Sequence, residues 1–307
     1  MSKILVTGSH GFIGSHLVNR LLEEGHNIIG IDNFDTGKRT NLRPHRNLAT
    51  IEASILDDEI EQLFEGVDVV FHLAALTRPQ KSFVIPRETT YVNVDGTLKI
   101  LMHCVKYKVG RVIFTSSSSL YGTQDVYPLK EEFAPKPESP YGLTKWVGEQ
   151  YCKLFGRMYG LQVNCIRPFN VYGARQNKEG GYAAAVPSFI DKLKNHQVAK
   201  ITGDGEQSRD FTYVEDIVDL LIRASVPLVY GESFNGGAGR NVTVNYVYRT
   251  IAKLMNKDTV EPVYVDPISE PKMTLADNSK ARRLLGWVPQ YSIEEGLIKT
   301  IKEILSE

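Results

Sequence analysis

A tyrosine and a lysine stand four residues apart in Tyr141-Gly142-Leu143-Thr144-Lys145, at the start of a long helical stretch just after Ser139-Pro140. On a helix that spacing puts a phenol and an ammonium on one face. A phenol of pKa ~10 is a poor base at neutral pH, and a neighbouring cation is expected to favour its ionised form and lower that value. In isolation such a pair is an ordinary feature of a helix surface, so its meaning depends on what surrounds it. A second group of polar side chains lies in Thr115-Ser116-Ser117-Ser118-Ser119-Leu120-Tyr121-Gly122, at the end of an apolar, β-branched run. Several hydroxyls there can bond a reacting alcohol and steady its oxyanion-like form. Some of these serines are expected to make only local bonds to the backbone.

A third constellation sits at the N-terminus. Gly8-Ser9-His10-Gly11-Phe12-Ile13-Gly14 follows a predicted strand and opens a predicted helix. Gly8 permits a tight turn, Gly11 lets the backbone approach a pyrophosphate, and Gly14 allows close packing of helix on strand. The free N–H groups of the helix start, and the positive end of its dipole, complete an anion site that also takes in Phe12 and Ile13. Asp32, followed by Asn33, ends the second predicted strand. A carboxylate there accepts bonds from both ribose hydroxyls and repels a 2′-phosphate, which favours NAD over NADP. The competing reading has Asp32 merely opening the turn through Asp35, with Lys38 and Arg39 in a solvated loop.

Elements of alternating type must position these residues. Short apolar runs at 4–6, 28–31, 67–73 and 111–115 read as buried parallel strands. Between them Ile13, Leu17 and Leu21 mark one helix face, and Val94, Leu98 and Leu101 mark another. This alternation predicts βαβ units and a doubly wound α/β parallel sheet. Beyond Pro168 glycine and proline become more frequent, and helical stretches at 187–194, 215–224, 244–255 and 293–304 are separated by irregular segments. The expected organisation is a dinucleotide-binding domain over 1–167, with some later segments returning to it. Residues 168–307 are then mainly a smaller mixed α/β lobe that binds substrate.

Bulk properties narrow the classes. The chain has 307 residues, 42% of them apolar, which is enough for a large core. Lys plus Arg and Asp plus Glu both number 36, so no global field draws the protein to nucleic acid or membranes. Cys104, Cys152 and Cys165 lack metal-ligand spacing and read as free thiols in a reducing compartment. The apolar run 4–6 is too short for a signal segment, no stretch reaches membrane-spanning length, and no metal is implied. A cytoplasmic location is expected.

Together these motifs resemble the extended short-chain dehydrogenases/reductases, in the branch of NAD-dependent nucleotide-sugar epimerases represented by the UDP-glucose 4-epimerases. The likeness runs nearly end to end. It takes in the three glycines, Asp32-Asn33, His72-Leu73-Ala74-Ala75, the serine run ending in Tyr121-Gly122, and the Tyr141/Lys145 pair. It continues through Arg167-Pro168-Phe169-Asn170-Val171-Tyr172-Gly173, Arg209-Asp210-Phe211 and Ala276-Asp277-Asn278-Ser279-Lys280-Ala281. The resemblance implies a Rossmann-type fold, NAD as cofactor, a UDP-sugar as substrate and a homodimer, with Val147, Tyr151, Leu154 and Phe155 available for its interface. It implies catalytic roles for Ser117, Tyr141 and Lys145, and a cofactor lining of Leu73, Ala74 and Ala75 with Phe169 close by. Asn170 and Arg209 match positions that contact the substrate diphosphate, with Ser117, Ser118 and Tyr141 at the sugar.

The resemblance also bears on the reaction. Sibling sugar dehydratases and decarboxylases place an acidic residue two positions before the Tyr-Gly pair, to act as a base at a second carbon. Here that residue is Ser119, preceded by Ser118, which leaves C4 epimerisation of a UDP-hexose through a transient 4-keto sugar as the expected reaction. A dehydratase or oxidoreductase on a dTDP-, GDP- or UDP-sugar, and a non-catalytic nucleotide sensor, are the alternatives. Three positions depart from the pattern. Ser54, followed by Ile55, stands where an aspartate contacts adenine. Thr77, with Arg78 adjacent, replaces a lysine near the nicotinamide. Residues 267–270 replace Arg-Pro-Gly-Asp at the nucleotide, with Lys272 available as a point charge. Thr274 falls where side-chain bulk excludes N-acetyl sugars, so its small size implies that UDP-N-acetylhexosamines are admitted.

Overall fold

The computed structural model describes residues 1–77, 79–177, 184–226, 228–267 and 271–306. The first half runs β1 (Lys3–Thr7), α1 (Phe12–Glu23), β2 (Asn27–Asp32), β3 (Leu48–Glu52), β4 (Val69–His72), α2 (Pro79–Val84), α3 (Pro86–Thr90), α4 (Gly96–Lys106), β5 (Arg111–Thr115), α5 (Pro140–Tyr159) and β6 (Gln162–Pro168). It continues with β7 (Val171–Tyr172), α6 (Ala185–Lys194), β8 (Lys200–Thr202), β9 (Ser208–Arg209), β10 (Thr212–Tyr213), α7 (Val214–Ala224), β11 (Ser233–Gly236) and β12 (Val242–Thr243). The chain ends with α8 (Val244–Leu254), β13 (Val263–Val265), α9 (Ser279–Leu285) and α10 (Ile293–Ser306).

Seven strands form one parallel sheet in the order β11-β6-β5-β4-β1-β2-β3. The expected Rossmann-type doubly wound sheet is present. Its strands are apolar on both faces because helices cover both. Leu5, Val70, Val112 and Phe114 pack beneath α4 and α5, while Ile4, Val6, Phe71 and Ile113 meet α1, α7 and α9. The strand order reverses between β1 and β4, so the crevice at their C-terminal ends is where a ligand binds.

Three sheet strands escape the hydrophobic pattern. β3 is an edge strand that exposes Ala49, Thr50 and Glu52 and half-buries Leu48 and Ile51. β6 carries Asn164 and Arg167 inward, both almost fully buried. β11 is a four-residue strand that returns to the sheet beside β6 after an excursion through α6 and α7. The four later helices begin and end within two residues of the expected bounds. Helices α6, α8 and α10 build a separate core from Phe189, Ile190, Val247, Ile251, Leu297 and Ile301. No described helix is long and apolar enough to cross a membrane.

Candidate active site

The glycine turn has the geometry its sequence demands. The Gly8 N–H donates to the Ile31 carbonyl at 2.8 Å, and the Gly11 N–H donates to the Gly8 carbonyl at 3.1 Å, so the chain folds back before α1 begins. Gly8 has φ +69°, and a Cβ there would lie 2.9 Å from the backbone nitrogen of Ala74. A Cβ on Gly14 would lie 2.0 Å from the Gly8 carbonyl oxygen. The open helix start and the backbone of Leu73, Ala74 and Ala75 thus form a cradle that side chains at these glycines would fill. A pyrophosphate fits it.

Asp32 opens the turn and also lines the cleft. Its carboxylate accepts from the His10 N–H and from the Phe34 N–H, each at 2.8 Å. The side chain both opens the turn and is held at the cleft wall beside Asn33. Arg39 pairs with Glu52 and stacks on the Phe34 ring, so it serves the loop. Ser54 and Ile55 line the same end, and the Ser54 hydroxyl accepts from the Leu56 N–H at 3.2 Å.

Helix α5 carries the Tyr141 and Lys145 side chains into the cleft. Ser139 caps this helix by accepting from the Gly142 N–H at 3.1 Å, and Pro140 occupies its first turn. Two glycines let the helix sit close to β5. A Cβ on Gly148 would lie 2.5 Å from the Phe114 ring, and one on Gly142 would lie 2.5 Å from the Ser119 carbonyl. Tyr141 and Lys145 are both buried on this face. The Tyr141 phenol and Ser117 face the same cleft, and the Lys145 ammonium donates to the Thr115 carbonyl at 2.8 Å. Ser117 accepts from the Ser119 N–H and donates to the Ser119 hydroxyl, both at 3.1 Å. One expectation is corrected. Burial pushes the phenol up to about 12, partly offset by Ser117, and pushes Lys145 down to about 8. The ammonium is spent on Thr115 and lies 6.0 Å from the Tyr141 ring centre, so in the protein alone desolvation outweighs its attraction.

At the far end Asn170, in the left-handed region at φ +35°, donates from Nδ2 to the Thr274 hydroxyl at 2.9 Å. Arg209 is buried beside it and donates to the Ser208 carbonyl at 2.9 Å. Asp210 spends its carboxylate on the N–H groups of Ala238, Gly239 and Ala276. Thr77 lines the cleft; Arg78 and residues 268–270 lie outside the described residues.

Among the described residues, all the expected site residues except Phe169 and Lys272 face one cleft of about 1300 Å3. The Phe169 ring is fully buried among Leu120, Tyr121, Leu129 and Ala276, while its neighbours Pro168 and Asn170 reach the cleft. The residue pattern missed Arg175, which lines the cleft with φ +63°. No spacing rule marks it; its place depends on the turn after β7. The proposed dimer residues divide as well. Phe155 and Tyr151 pack into the sheet core, whereas Leu154 is exposed.

A parallel sheet carrying a glycine cradle, an acidic residue at the end of β2 and a Ser–Tyr–Lys group defines a dinucleotide-dependent enzyme of the short-chain dehydrogenase/reductase type. The chain matches the NAD dependent epimerase/dehydratase family over residues 4–235 and belongs to that family; its cofactor is NAD. It is 36% identical over 307 residues to UDP-glucose 4-epimerase of Mycolicibacterium smegmatis, covering 98% of this chain and 97% of the relative. The fold superposes with a TM-score of 0.95 on a UDP-glucose 4-epimerase of Thermotoga maritima solved with UDP-glucose, at 38% identity and 99% coverage of both chains. With a UDP-N-acetylglucosamine 4-epimerase of Methanobrevibacter ruminantium, in complex with UDP-N-acetylmuramic acid, the TM-score is 0.96 at 36% identity, over 99% of this chain and 98% of that one.

Proposed function

We propose that the protein inverts C4 of a UDP-hexose, the UDP-glucose/UDP-galactose pair first, through a transient 4-keto sugar. The observation that carries this reading is that Ser117 and Tyr141 face one cleft at a strand end that contributes hydroxyls alone, Ser118 and Ser119 included. Elimination and decarboxylation need a proton carrier at a second carbon; epimerisation does not. Bound NAD supplies a reversible hydride acceptor at the sugar, whose positive ring also favours the phenolate. Tyr141 takes the C4 hydroxyl proton and Ser117 bonds the same oxygen. Lys145, anchored on Thr115, orients the cofactor ribose. Asn170 and Arg209 hold the diphosphate, leaving the keto sugar free to present its other face, and the lobe built mainly from 168–307 closes over it. Because the hydride returns, no external redox partner is consumed.

Incubating purified enzyme with UDP-galactose, without added NAD, tests this directly. Interconversion to UDP-glucose with no lasting absorbance in the reduced-nicotinamide band is expected. Stoichiometric NADH would mark an oxidoreductase, loss of water a dehydratase, and no conversion of any nucleotide sugar a sensor.

Thr274 supports acceptance of N-acetylated sugars. Its short side chain lines the cleft beside Asn170. The protein is also proposed to be a homodimer, through the outer faces of α4 and α5. Met102 and Met158 there are 57% and 61% exposed, an apolar surface that pairing would cover. Sedimentation at micromolar concentration tests it.

A further inference from the structure

Four residues beyond Lys145, on the same buried face of α5, stands Glu149, with no exposed surface. Its carboxylate forms a two-point pair with Arg167 at the end of β6: Nε donates to Oε1 and Nη2 to Oε2, each at 2.8 Å. Arg167 is 3% exposed. Its remaining nitrogen, Nη1, donates to the Tyr121 hydroxyl at 2.7 Å and to the Glu131 carbonyl at 3.1 Å. Tyr121 donates in turn to Asn235 Oδ1 on β11 at 2.7 Å, and Ser233 of the same strand donates to Glu149 at 3.1 Å.

A buried ion pair is a costly way to fill space. Desolvating two charges offsets most of their attraction, and apolar residues of similar volume often do as well or better for stability. What apolar packing lacks is direction. The guanidinium fork fixes both the distance and the orientation of its partners. Here its partners are the catalytic helix, through Glu149, and the end of the serine run, through Tyr121, which lies four residues beyond Ser117.

We propose that the Glu149–Arg167 pair is a positioning device for the reaction: it fixes where α5 lies along its own axis relative to the serine run, and so sets Tyr141 against Ser117. The inference rests on Tyr141 being the base of the proposed reaction, but it also has a readout that needs no turnover. Tyr141 and Ser117 are carried by different elements, and hydrogen bonds from both to one reacting hydroxyl tolerate only a few tenths of an ångström of slip. Gly142 and Gly148 permit the close approach of α5 to β5 without setting its axial register. Glu149 and Arg167 supply that register. They touch neither cofactor nor substrate and act only through Tyr141 and Ser117.

The test replaces both charges together, Glu149→Met with Arg167→Met, so that neither is stranded in the core. Cζ-labelled tyrosine in the NMR spectrum reports the Tyr141 titration, assigned by its loss in Tyr141→Phe. The expected variant is folded and binds NAD within about threefold of wild type. Its Tyr141 titration moves upward as the phenol draws away from Ser117, and its kcat for UDP-galactose falls at least tenfold with KM changed less than threefold. An unmoved Tyr141 titration overturns the proposal, whatever happens to turnover. Should the double variant not fold, Arg167→Lys, which keeps the charge and loses the fork, is read by the same titration. If wild type turns over no nucleotide sugar, the proposed function fails, while the titration still decides the positioning role.

Discussion

Lys145 and Thr115 are joined by a 2.8 Å hydrogen bond from the ammonium to the backbone carbonyl, which clips the catalytic helix to the strand that carries the serine run. Burial lowers the pKa of this lysine to about 8. The unfolded chain, with a lysine near 10.5, therefore holds more protons between pH 8 and 10.5, so this group adds stability as pH rises through that window. Below pH 8 the fold bears the cost of a buried cation. Lys145→Met is expected to abolish turnover, and in denaturant titrations its unfolding free energy should fall progressively behind wild type from pH 8 to 10. A constant gap between the two proteins across that range would contradict the assignment.

Removing the phenol oxygen tests the base without disturbing the fold. Tyr141→Phe should lower kcat for UDP-galactose by about 10²–10⁴-fold, the usual contribution of a positioned acid or base. NAD affinity, measured by fluorescence quenching, should stay within a few-fold. Retention of more than a tenth of the activity would remove Tyr141 from the chemistry.

The glycine cradle predicts a loss of a different kind. In Gly14→Ala the new methyl would meet the Gly8 carbonyl at 2.0 Å, a backbone atom that cannot swing aside. We expect α1 to shift, NAD binding to be lost, and stability to fall by about 1–3 kcal/mol, as for other overpacked sites. Calorimetry and equilibrium dialysis check both.

His72 is fully buried between two hydroxyls, Thr7 Oγ1 at 2.8 Å from Nδ1 and Thr97 Oγ1 at 2.9 Å from Nε2. Burial lowers its pKa to about 3, so it is neutral in the fold. The unfolded chain binds the extra proton between pH 6.5 and 3, and stability from this group is lost as pH falls through that range. Asp210 and Asp216, both raised to about 6 by burial, act in the opposite sense below pH 6. The decisive comparison is therefore His72→Gln against wild type. The variant should show the shallower acid slope in urea denaturation from pH 7 to 4.

Side-chain size at Thr274 should set sugar scope. Thr274→Tyr is expected to lower the ratio of kcat/KM for UDP-N-acetylglucosamine to that for UDP-glucose by about tenfold or more, within the range a shaped pocket achieves. If wild type itself neither binds nor converts UDP-N-acetylglucosamine while turning over UDP-glucose, the reading of Thr274 is wrong.

Much of this site is local, and local features are legible. Gly8, Gly11 and Gly14 act within one turn, Asp32 bonds the N–H two residues on, and Tyr141 and Lys145 share a face because helices repeat every 3.6 residues. Phe169, which the resemblance sets near the cofactor, turns its ring into the core against Leu120 and Tyr121, and residue order in an irregular segment does not say which side chain faces a cleft. Arg175 went unseen because its position follows from a left-handed turn. Strand β6 broke the apolar pattern with Asn164 and Arg167, whose burial depends on partners far away in sequence.

The sequence by itself determined the glycine turn, the Tyr141–Lys145 pair and the alternating sheet, because each is encoded by residue types at short, regular separations. Tertiary structure alone decided how these parts meet. It set Lys145 against Thr115 at a separation of 30 residues, Arg167 against Glu149 across the core, and Thr274 against Asn170 from 104 residues away. It also decided the protonation of Tyr141. A nearby lysine argues for a lower pKa, but how much water is removed around the phenol is a property of the packed protein, and that burial raised it.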